Sequence, residues 1–328
     1  MTRTKASRGV QGIAAIAAIG VLAAAGAAGC TGSQWPASPV VVSEVARFDG
    51  ARGQMSEGVA VREGTAYLGY VASGEVVAVD LESGAVTPYA SLPQPVAGKG
   101  FVAGLAVHGD DLYAALVSFV PEVQAGIYRM TGAGGPAQLF AKHDEMAFPN
   151  GMAFDDAGQM YVTDSAAGAI FRVSTTGEVT RWLADPLLTG GKDSCGAGNG
   201  VGVPFDIGAN GIVIDGETMF VTNTDRAQVV RIQIQKDGGA GAPRLLVPPS
   251  CDELSGADGL ALAPDGDLIV AVNHLNKLMR VDREGHVTQL ASGGPLDFPA
   301  SLVFAGDALY ISNFAFLDAK RPALLRIP

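Results

Sequence analysis

Short apolar runs alternate with polar turns from about residue 40 onward. One pattern occurs six times: a polar or small residue, then Gly or Ser, then three apolar residues. Its copies are about 42 to 60 residues apart, a spacing typical of propeller blades built from four strands. The six copies begin Glu57-Gly58-Val59, Ala103-Gly104-Leu105, Asn150-Gly151-Met152, Asn210-Gly211-Ile212, Asp258-Gly259-Leu260 and Ala300-Ser301-Leu302.

The third unit shows how each blade is predicted to divide into strands. Two turn sequences, 155–158 and 175–177, separate its apolar runs in the way that hairpin connections do. Its predicted strands are 150–154, 160–164, 170–174 and 179–183. The repeat therefore predicts an all-β protein, a six-bladed β-propeller with four antiparallel strands per blade.

The two ends of the repeat region complement each other. The last unit has no fourth strand after 324–327, whereas 40–48 precedes the first unit and belongs to none. A bare outer strand is an aggregation hazard that pairing removes. We therefore expect the N-terminal strand to close the last blade.

The antiparallel strand order assigns each loop to one of two mouths of the propeller. First strands start and second strands end at the mouth that we call the top mouth, and the other is the bottom mouth. His108 and His286 lie in predicted bottom turns, so we exclude both from the site. The residues that end second strands are predicted to line a pocket at the top mouth: Asp164, Asn223, Asn273, His274 and Asn313.

Four of the six patterns begin with a side chain that carries oxygen: Glu57, Asn150, Asn210 and Asp258. If each pattern starts an innermost strand, the four side chains point at one spot on the propeller axis. Such a set favours Ca²⁺, whereas Zn²⁺ prefers His or Cys; Mg²⁺, Mn²⁺ and Zn²⁺ stay open as alternatives. Asn-Gly and Asp-Gly are also common turn dipeptides. Here, however, each precedes an apolar triplet, and Glu57 fits no turn.

The first 29 residues have the pattern of a secretory signal peptide. Three basic residues precede an apolar run, 12–28, that is too short and Ala-rich for a spanning helix. The run ends Ala27-Ala28-Gly29-Cys30, which resembles a bacterial lipobox. We predict a signal peptide (1–29), a tether (30–38) after lipidated Cys30, and the propeller (39–328), in an extracytoplasmic lipoprotein of the periplasm or cell surface. The alternative is a plain signal peptide with a chance cysteine.

Charge and cysteine content narrow the class of partner. Removal of residues 1–29 leaves 19 basic and 33 acidic residues, a net charge of −14, which repels nucleic acid. We expect a monomer that binds a small molecule and contacts a membrane only through its lipid anchor. Cys195 and Cys251 lie in loops and form a predicted disulfide, because disulfides persist outside the cytosol.

From about Val40 to Pro328 the chain resembles the propellers of senescence marker protein, gluconolactonase and luciferin-regenerating enzyme, with diisopropyl fluorophosphatase and the paraoxonases as relatives. The motifs that carry this resemblance are Ser56-Glu57-Gly58, Pro149-Asn150-Gly151, Tyr161-Val162-Thr163-Asp164-Ser165, Ala209-Asn210-Gly211-Ile212 and Ala257-Asp258-Gly259-Leu260.

The resemblance implies one catalytic divalent cation between Glu57, Asn150, Asn210 and Asp258, with Asn150 nearer to the substrate. It implies a metal-dependent hydrolase of a lactone or related ester, in which the cation polarises the carbonyl. Asp258 or a metal-bound water then activates the attack. The paraoxonases have a further acid where this chain has Gly58 and Gly151, so we predict one metal rather than two.

The two blades that lack an oxygen ligand have long apolar loops at the top mouth. These loops contain Phe119 and Phe316, which we predict to form an apolar wall for substrate, although packing between blades is an equal alternative. Two other functions stay open: a non-catalytic propeller that binds a ligand or protein and keeps a structural metal, and a metal-free propeller similar to strictosidine synthase. The complete set of four oxygens argues against the last.

Overall fold

The computed structural model describes residues 35–36, 39–191, 194–195 and 205–328. The predicted signal peptide and Cys30 lie outside these residues. Within them, the strands form six sheets, which are the six predicted blades. Each sheet has four antiparallel strands, and the first has a short fifth strand in addition. No helix in the described part of the chain is long and apolar enough to cross a membrane.

The strands of a blade follow one another outward from the propeller axis, and their bounds agree with the repeat. The first three blades contain β2 (Ser56–Arg62), β3 (Thr65–Tyr70), β4 (Glu75–Asp80) and β5 (Val86–Ser91); β6 (Gly100–His108), β7 (Asp111–Ser118), β8 (Gly126–Met130) and β10 (Gln138–Ala141); and β11 (Pro149–Phe154), β12 (Met160–Asp164), β13 (Ala169–Val173) and β14 (Val179–Ala184). The other three contain β15 (Ala209–Asp215), β16 (Thr218–Asn223), β17 (Gln228–Gln233) and β18 (Arg244–Val247); β19 (Ala257–Leu262), β20 (Leu268–Val272), β21 (Lys277–Val281) and β22 (Val287–Ser292); and β23 (Pro299–Ala305), β24 (Ala308–Asn313), β25 (Ala323–Ile327) and β1 (Ser43–Arg47).

A few short elements connect or extend the blades. The two-residue strand β9 (Gly135–Pro136) pairs in parallel with β5 of the first blade. Helix α1 (Cys251–Leu254) leads into β19, and 3₁₀ turns occupy Gly50–Arg52 and Asn273–Leu275. These elements leave the sixfold arrangement unchanged.

The last blade is closed by the N-terminal strand, as predicted. Strand β1 pairs antiparallel with β25, with Ser43 opposite Arg326 and Arg47 opposite Ala323. Because β25 runs from the top mouth to the bottom mouth, β1 runs upward from the bottom. The pairing has a bulge between Glu44 and Ala46, and it covers the outer edge of β25.

Trp35 belongs to the propeller although it lies in the predicted tether. Its side chain is buried between the fifth and sixth blades, with its ring centroid 4.8 Å from that of Phe304. Its carbonyl accepts a hydrogen bond from Arg280. Trp35 therefore packs as part of the propeller, because burial of a large aromatic side chain is favourable.

The innermost strands form a closed ring around the axis, and apolar clusters fill the space between each pair of neighbouring blades. Small residues at the second position of the repeated pattern allow this close approach. A Cβ atom added at Gly151 would lie 2.5 Å from the backbone oxygen of Asn210, and one at Gly211 would lie 2.5 Å from that of Asp258. Glycine is therefore needed there for backbone contact between blades rather than for a turn.

Each of the six innermost strands has a bulge at the repeated pattern. In the third blade Pro149 pairs with Asp164 and Met152 pairs with Val162, so the inner strand has one extra residue between the two pairs. The same shift occurs in the other five inner strands. A bulge re-aims the side chains at its position. In four blades it turns an oxygen-bearing side chain toward the axis.

Candidate functional site

The four predicted ligands come together at the base of a cavity. Glu57, Asn150, Asn210 and Asp258 are each at most 8% exposed. All four line a cavity of about 740 Å³ that opens at the top mouth, and also the upper end of an axial channel of about 440 Å³ between the inner strands. The structure therefore brings together the residues that the repeat selected, and places them between pocket and channel.

Two threonines hold the bulged backbone, and they were not identified from the sequence. Thr163 accepts a hydrogen bond from Gly151 N at 2.9 Å and donates to the backbone oxygen of Asn210 in the next blade. Thr222 does the same between Gly211 N, at 2.9 Å, and the backbone oxygen of Asp258. The signal was present in the second strands, where both threonines occupy the same position. Each threonine thus ties one ligand-bearing strand to the next.

Neighbouring hydroxyls orient the two asparagine amides. Ser165 Oγ donates to the backbone oxygen of Ala209 at 2.8 Å, so its single proton is used and it accepts from Asn150 Nδ2 at 3.2 Å. Thr224 in the same way donates to the backbone oxygen of Ala257 at 2.8 Å and accepts from Asn210 Nδ2 at 2.9 Å. Each amide nitrogen is therefore committed to a donor role, and each Oδ1 is the atom left to act as a ligand.

The buried positions of Glu57 and Asp258 disfavour the ionised form of both carboxyl groups. Burial, and secondly the nearby charge of Asp258, raises the pKa of Glu57 well above its usual range, although a hydrogen bond from Asn150 opposes this. Burial also raises the pKa of Asp258 to about 7, against hydrogen bonds from Asn273 and Asn210. Two buried carboxylates that repel each other are stabilised by a cation between them.

The donor set fits a hard divalent cation. It contains two carboxylates and two amide oxygens, with no imidazole or thiolate, which is the chemistry that Ca²⁺ and Mg²⁺ prefer. Across the described residues no three His, Cys, Asp or Glu side chains form a cluster able to hold a metal, so a cation here depends on the amides. Asn273 donates to Asp258 Oδ2 at 2.9 Å, and its own buried Oδ1 lacks a hydrogen-bond partner.

Phenylalanines form two walls above the axial residues. We call the group near blades two and three the first wall, and the group near blade six the second wall. The first wall consists of Phe101, Phe119, Phe148 and Phe205, and the second of Phe298, Phe314 and Phe316. Adjacent rings within each wall have centroids 5.0 to 6.1 Å apart, which is the range of aromatic contact. The two walls thus lie above the blades that contain Ala103 and Ala300, which are the two blades without an oxygen ligand.

Four of the seven predicted pocket residues line this cavity. Phe119 and Phe316 do so with 45% and 37% of their surface exposed, and Asn273 and His274 lie at its base and side. The ring of His274 is 5.8 Å from that of Phe298 in the second wall. Phe119 and Phe316 thus line the same cavity as the axial residues, and a role in substrate binding stays a prediction.

The other three predicted pocket residues do not line the cavity. Asp164 accepts hydrogen bonds from the backbone nitrogens of Phe148 and Ala167, both at 2.8 Å. Asn223 donates to Leu187 and Thr189, and Asn313 to Pro295 and Arg321, all through backbone oxygens. The prediction was wrong because these side chains point away from the axis and cap the loops that follow their strands.

The predicted disulfide between Cys195 and Cys251 is present, with 5.4 Å between the two Cα atoms. Cys251 begins α1, which leads directly into the strand that carries Asp258. Parts of the connected loop, 192–193 and 196–204, lie outside the described residues. The bond joins this loop to the start of α1.

Fold and site together define a class of six-bladed propellers with an axial set of oxygen ligands beneath an apolar cavity. Residues 207–314 match the family described as the SMP-30/Gluconolactonase/LRE-like region. The matched segment holds Asn210 and Asp258 and covers most of the last three blades. The resemblance predicted from the sequence is therefore confirmed.

Solved structures share the fold at low sequence identity. A calcium-binding protein, regucalcin, from Agrobacterium tumefaciens is 18% identical, with a TM-score of 0.65 over 88% of this chain and 93% of that chain. A gluconolactonase from Xanthomonas campestris is 16% identical, with a TM-score of 0.64 over 89% and 90%. An auxiliary nutrient binding protein from Bacteroides thetaiotaomicron is 12% identical, with a TM-score of 0.66 over 88% and 76%. Comparison with curated proteins finds no match.

Proposed function

We propose that this protein is a calcium-dependent hydrolase of a lactone or related ester. The observation that carries the proposal is the convergence of four buried oxygen-bearing side chains at the base of a cavity large enough for a small molecule. The family match and the likeness to a gluconolactonase support the reaction class. The likeness to a calcium-binding protein supports the choice of metal.

Glu57, Asn210 and Asp258 would hold the cation, with Asn150 at the same centre on the side of the substrate. When bound, the cation supplies the positive charge that polarises a carbonyl and stabilises the developing oxyanion. Ser165 accepts a hydrogen bond from the amide nitrogen of Asn150, so Oδ1 is the atom of Asn150 that would contact the cation or the substrate. This orientation positions the substrate rather than reacting with it.

Asp258 is the proposed acceptor of the proton from the attacking water. Asn273 Nδ2 donates a hydrogen bond to Asp258 Oδ2 at 2.9 Å, and this bond fixes the orientation of the Asp258 carboxyl group. The first and second walls exclude bulk water from the reacting atoms. Exclusion of water strengthens each electrostatic contact within the site.

A second candidate function is a binding protein in which the cation is structural. The likeness to a nutrient binding protein favours it, because a protein with this fold serves in binding. Both functions use the same cavity and the same cation. They differ in whether a bound ester is cleaved.

Chelation and replacement of Asp258 distinguish the two functions. We expect a chelator to abolish hydrolysis of a panel of lactones and added Ca²⁺ to restore it. Asp258→Asn should reduce kcat by at least about 100-fold, the low end for loss of a general base. Asp307→Asn, which makes the same charge change in an exposed turn at the bottom mouth, is the control. Chelation that lowers only the melting temperature, with no hydrolysis in any condition, would support the binding protein.

A further inference from the structure

We infer that the cavity selects a substrate with an apolar acyl or aryl body rather than a polyhydroxylated sugar lactone. This inference rests on the proposed function, since it names the substrate class of the same site. It is carried by the distribution of polar and apolar groups in the cavity. The polar axial residues lie at the bottom of the cavity, and two apolar walls lie above them.

The walls are apolar over most of the cavity. Seven phenylalanines line it, together with aliphatic residues such as Met55, Val71 and Ile207. Phe119 and Phe316 line the cavity with 45% and 37% of their surface exposed. Large apolar side chains left exposed inside a concave site mark a surface that an apolar ligand covers.

The backbone at Phe298, which helps to form the second wall, is strained. Its φ is 51°, a left-handed conformation that bulky residues rarely adopt. Its backbone nitrogen donates to Asn276 Oδ1 at 2.7 Å, and its ring contacts both Phe314 and Phe316. Strain that persists beside a binding site is held there by the surrounding contacts. The position of this ring is therefore part of the site.

Most polar groups near the axial residues hydrogen-bond to each other, and the buried Oδ1 of Asn273 is an exception. Thr224 gives its proton to Ala257 and accepts from Asn210, and Asn273 donates to Asp258. Apart from the exposed ammonium of Lys99 and the imidazole of His274, the described wall positions offer phenylalanine and aliphatic side chains. The hydroxyls of a sugar would lose water there without gaining partners, which is unfavourable.

The test is a series of δ-lactones with alkyl tails of increasing length, compared with glucono-δ-lactone, in the presence of Ca²⁺. Burial of each methylene should raise kcat/KM about fourfold while the tail still fits. We expect glucono-δ-lactone to be roughly 100-fold poorer than an alkyl lactone of similar size. Phe316→Ala and Phe119→Ala should each reduce the dependence on tail length to less than about twofold per methylene.

Leu317→Ala is the matched control, because Leu317 follows Phe316 in the same loop but is 66% exposed and does not line the cavity. It should leave the tail dependence unchanged. The matching alkyl lactams, titrated by calorimetry, report binding without turnover. Tail-dependent lactam binding without hydrolysis would uphold the apolar ligand and refute the hydrolase. A preference for glucono-δ-lactone, or equal tail dependence in Phe316→Ala and Leu317→Ala, would overturn the inference and leave the hydrolase standing.

Discussion

Replacement of Thr222 by valine removes one oxygen that serves two ligand-bearing strands. Thr222 is fully buried, accepts from Gly211 N and donates to the backbone oxygen of Asp258. Valine has nearly the same shape, so it leaves both backbone groups in place and unpaired. Each buried unpaired group costs about 1–3 kcal/mol, so the free energy of unfolding should fall by roughly 2–6 kcal/mol. This is a large part of a typical stability of about 5–15 kcal/mol.

The same change should weaken the metal centre, because the backbone of Asp258 loses the bond that fixes it beside the axis. Removal of groups that orient metal ligands typically costs about 10- to 100-fold in affinity, and we expect the Kd for Ca²⁺ to rise about tenfold or more. The assays are urea unfolding of the chelated protein and calcium titration calorimetry of the folded protein. Thr222→Ser keeps the hydroxyl and is the matched control.

The reasoning would be refuted if valine and serine variants had the same stability and the same calcium affinity. A loss of stability without a loss of affinity would show that Thr222 only joins two blades. A loss of affinity in both variants would show that the methyl group, as well as the hydroxyl, helps to hold Asp258.

Other predictions concern the cation, the disulfide and the anchor. Saturation with Ca²⁺ at about 100 times Kd should stabilise the fold by about 2.7 kcal/mol, seen as a rise in melting temperature that Asp258→Asn abolishes and Asp307→Asn retains. Cys251→Ser opens a bridge between residues 56 apart and should cost up to ~4 kcal/mol in the chain-entropy model; equal melting temperatures with and without reductant would contradict this. We propose that Cys30 is lipidated and anchors an extracytoplasmic, monomeric protein: Cys30→Ser should abolish palmitate labelling and release the protein from membranes, and continued fractionation with membranes would contradict the anchor.

Sequence reasoning predicted the fold because the repeat occurs once in every blade and because each copy marks the same point in an inner strand. It predicted the axial residues for the same reason. It did not separate Thr163, which reaches the next blade, from Asp164, which caps a loop. Successive residues of a strand point to opposite faces, so position at a strand end cannot decide which of two neighbours faces the site.

Trp35 shows a second limit. Its burial depends on a space between the fifth and sixth blades that exists only after both have formed. The local sequence around Trp35 therefore cannot predict its burial. The Phe298 backbone is similar, since contacts from outside the repeat hold its left-handed conformation.

The closure of the sixth blade has a consequence for folding. Ser43 and Arg326, which pair across β1 and β25, are 283 residues apart in the chain. A protein made from its N-terminus must keep β1 unpaired until the final strands are available, and pairing over such a separation is slow. Until then β1 and β25 both present bare edges that favour association with other chains. We therefore expect the last blade to limit the refolding rate, and protein concentration to determine how much of the chain aggregates before the ring closes.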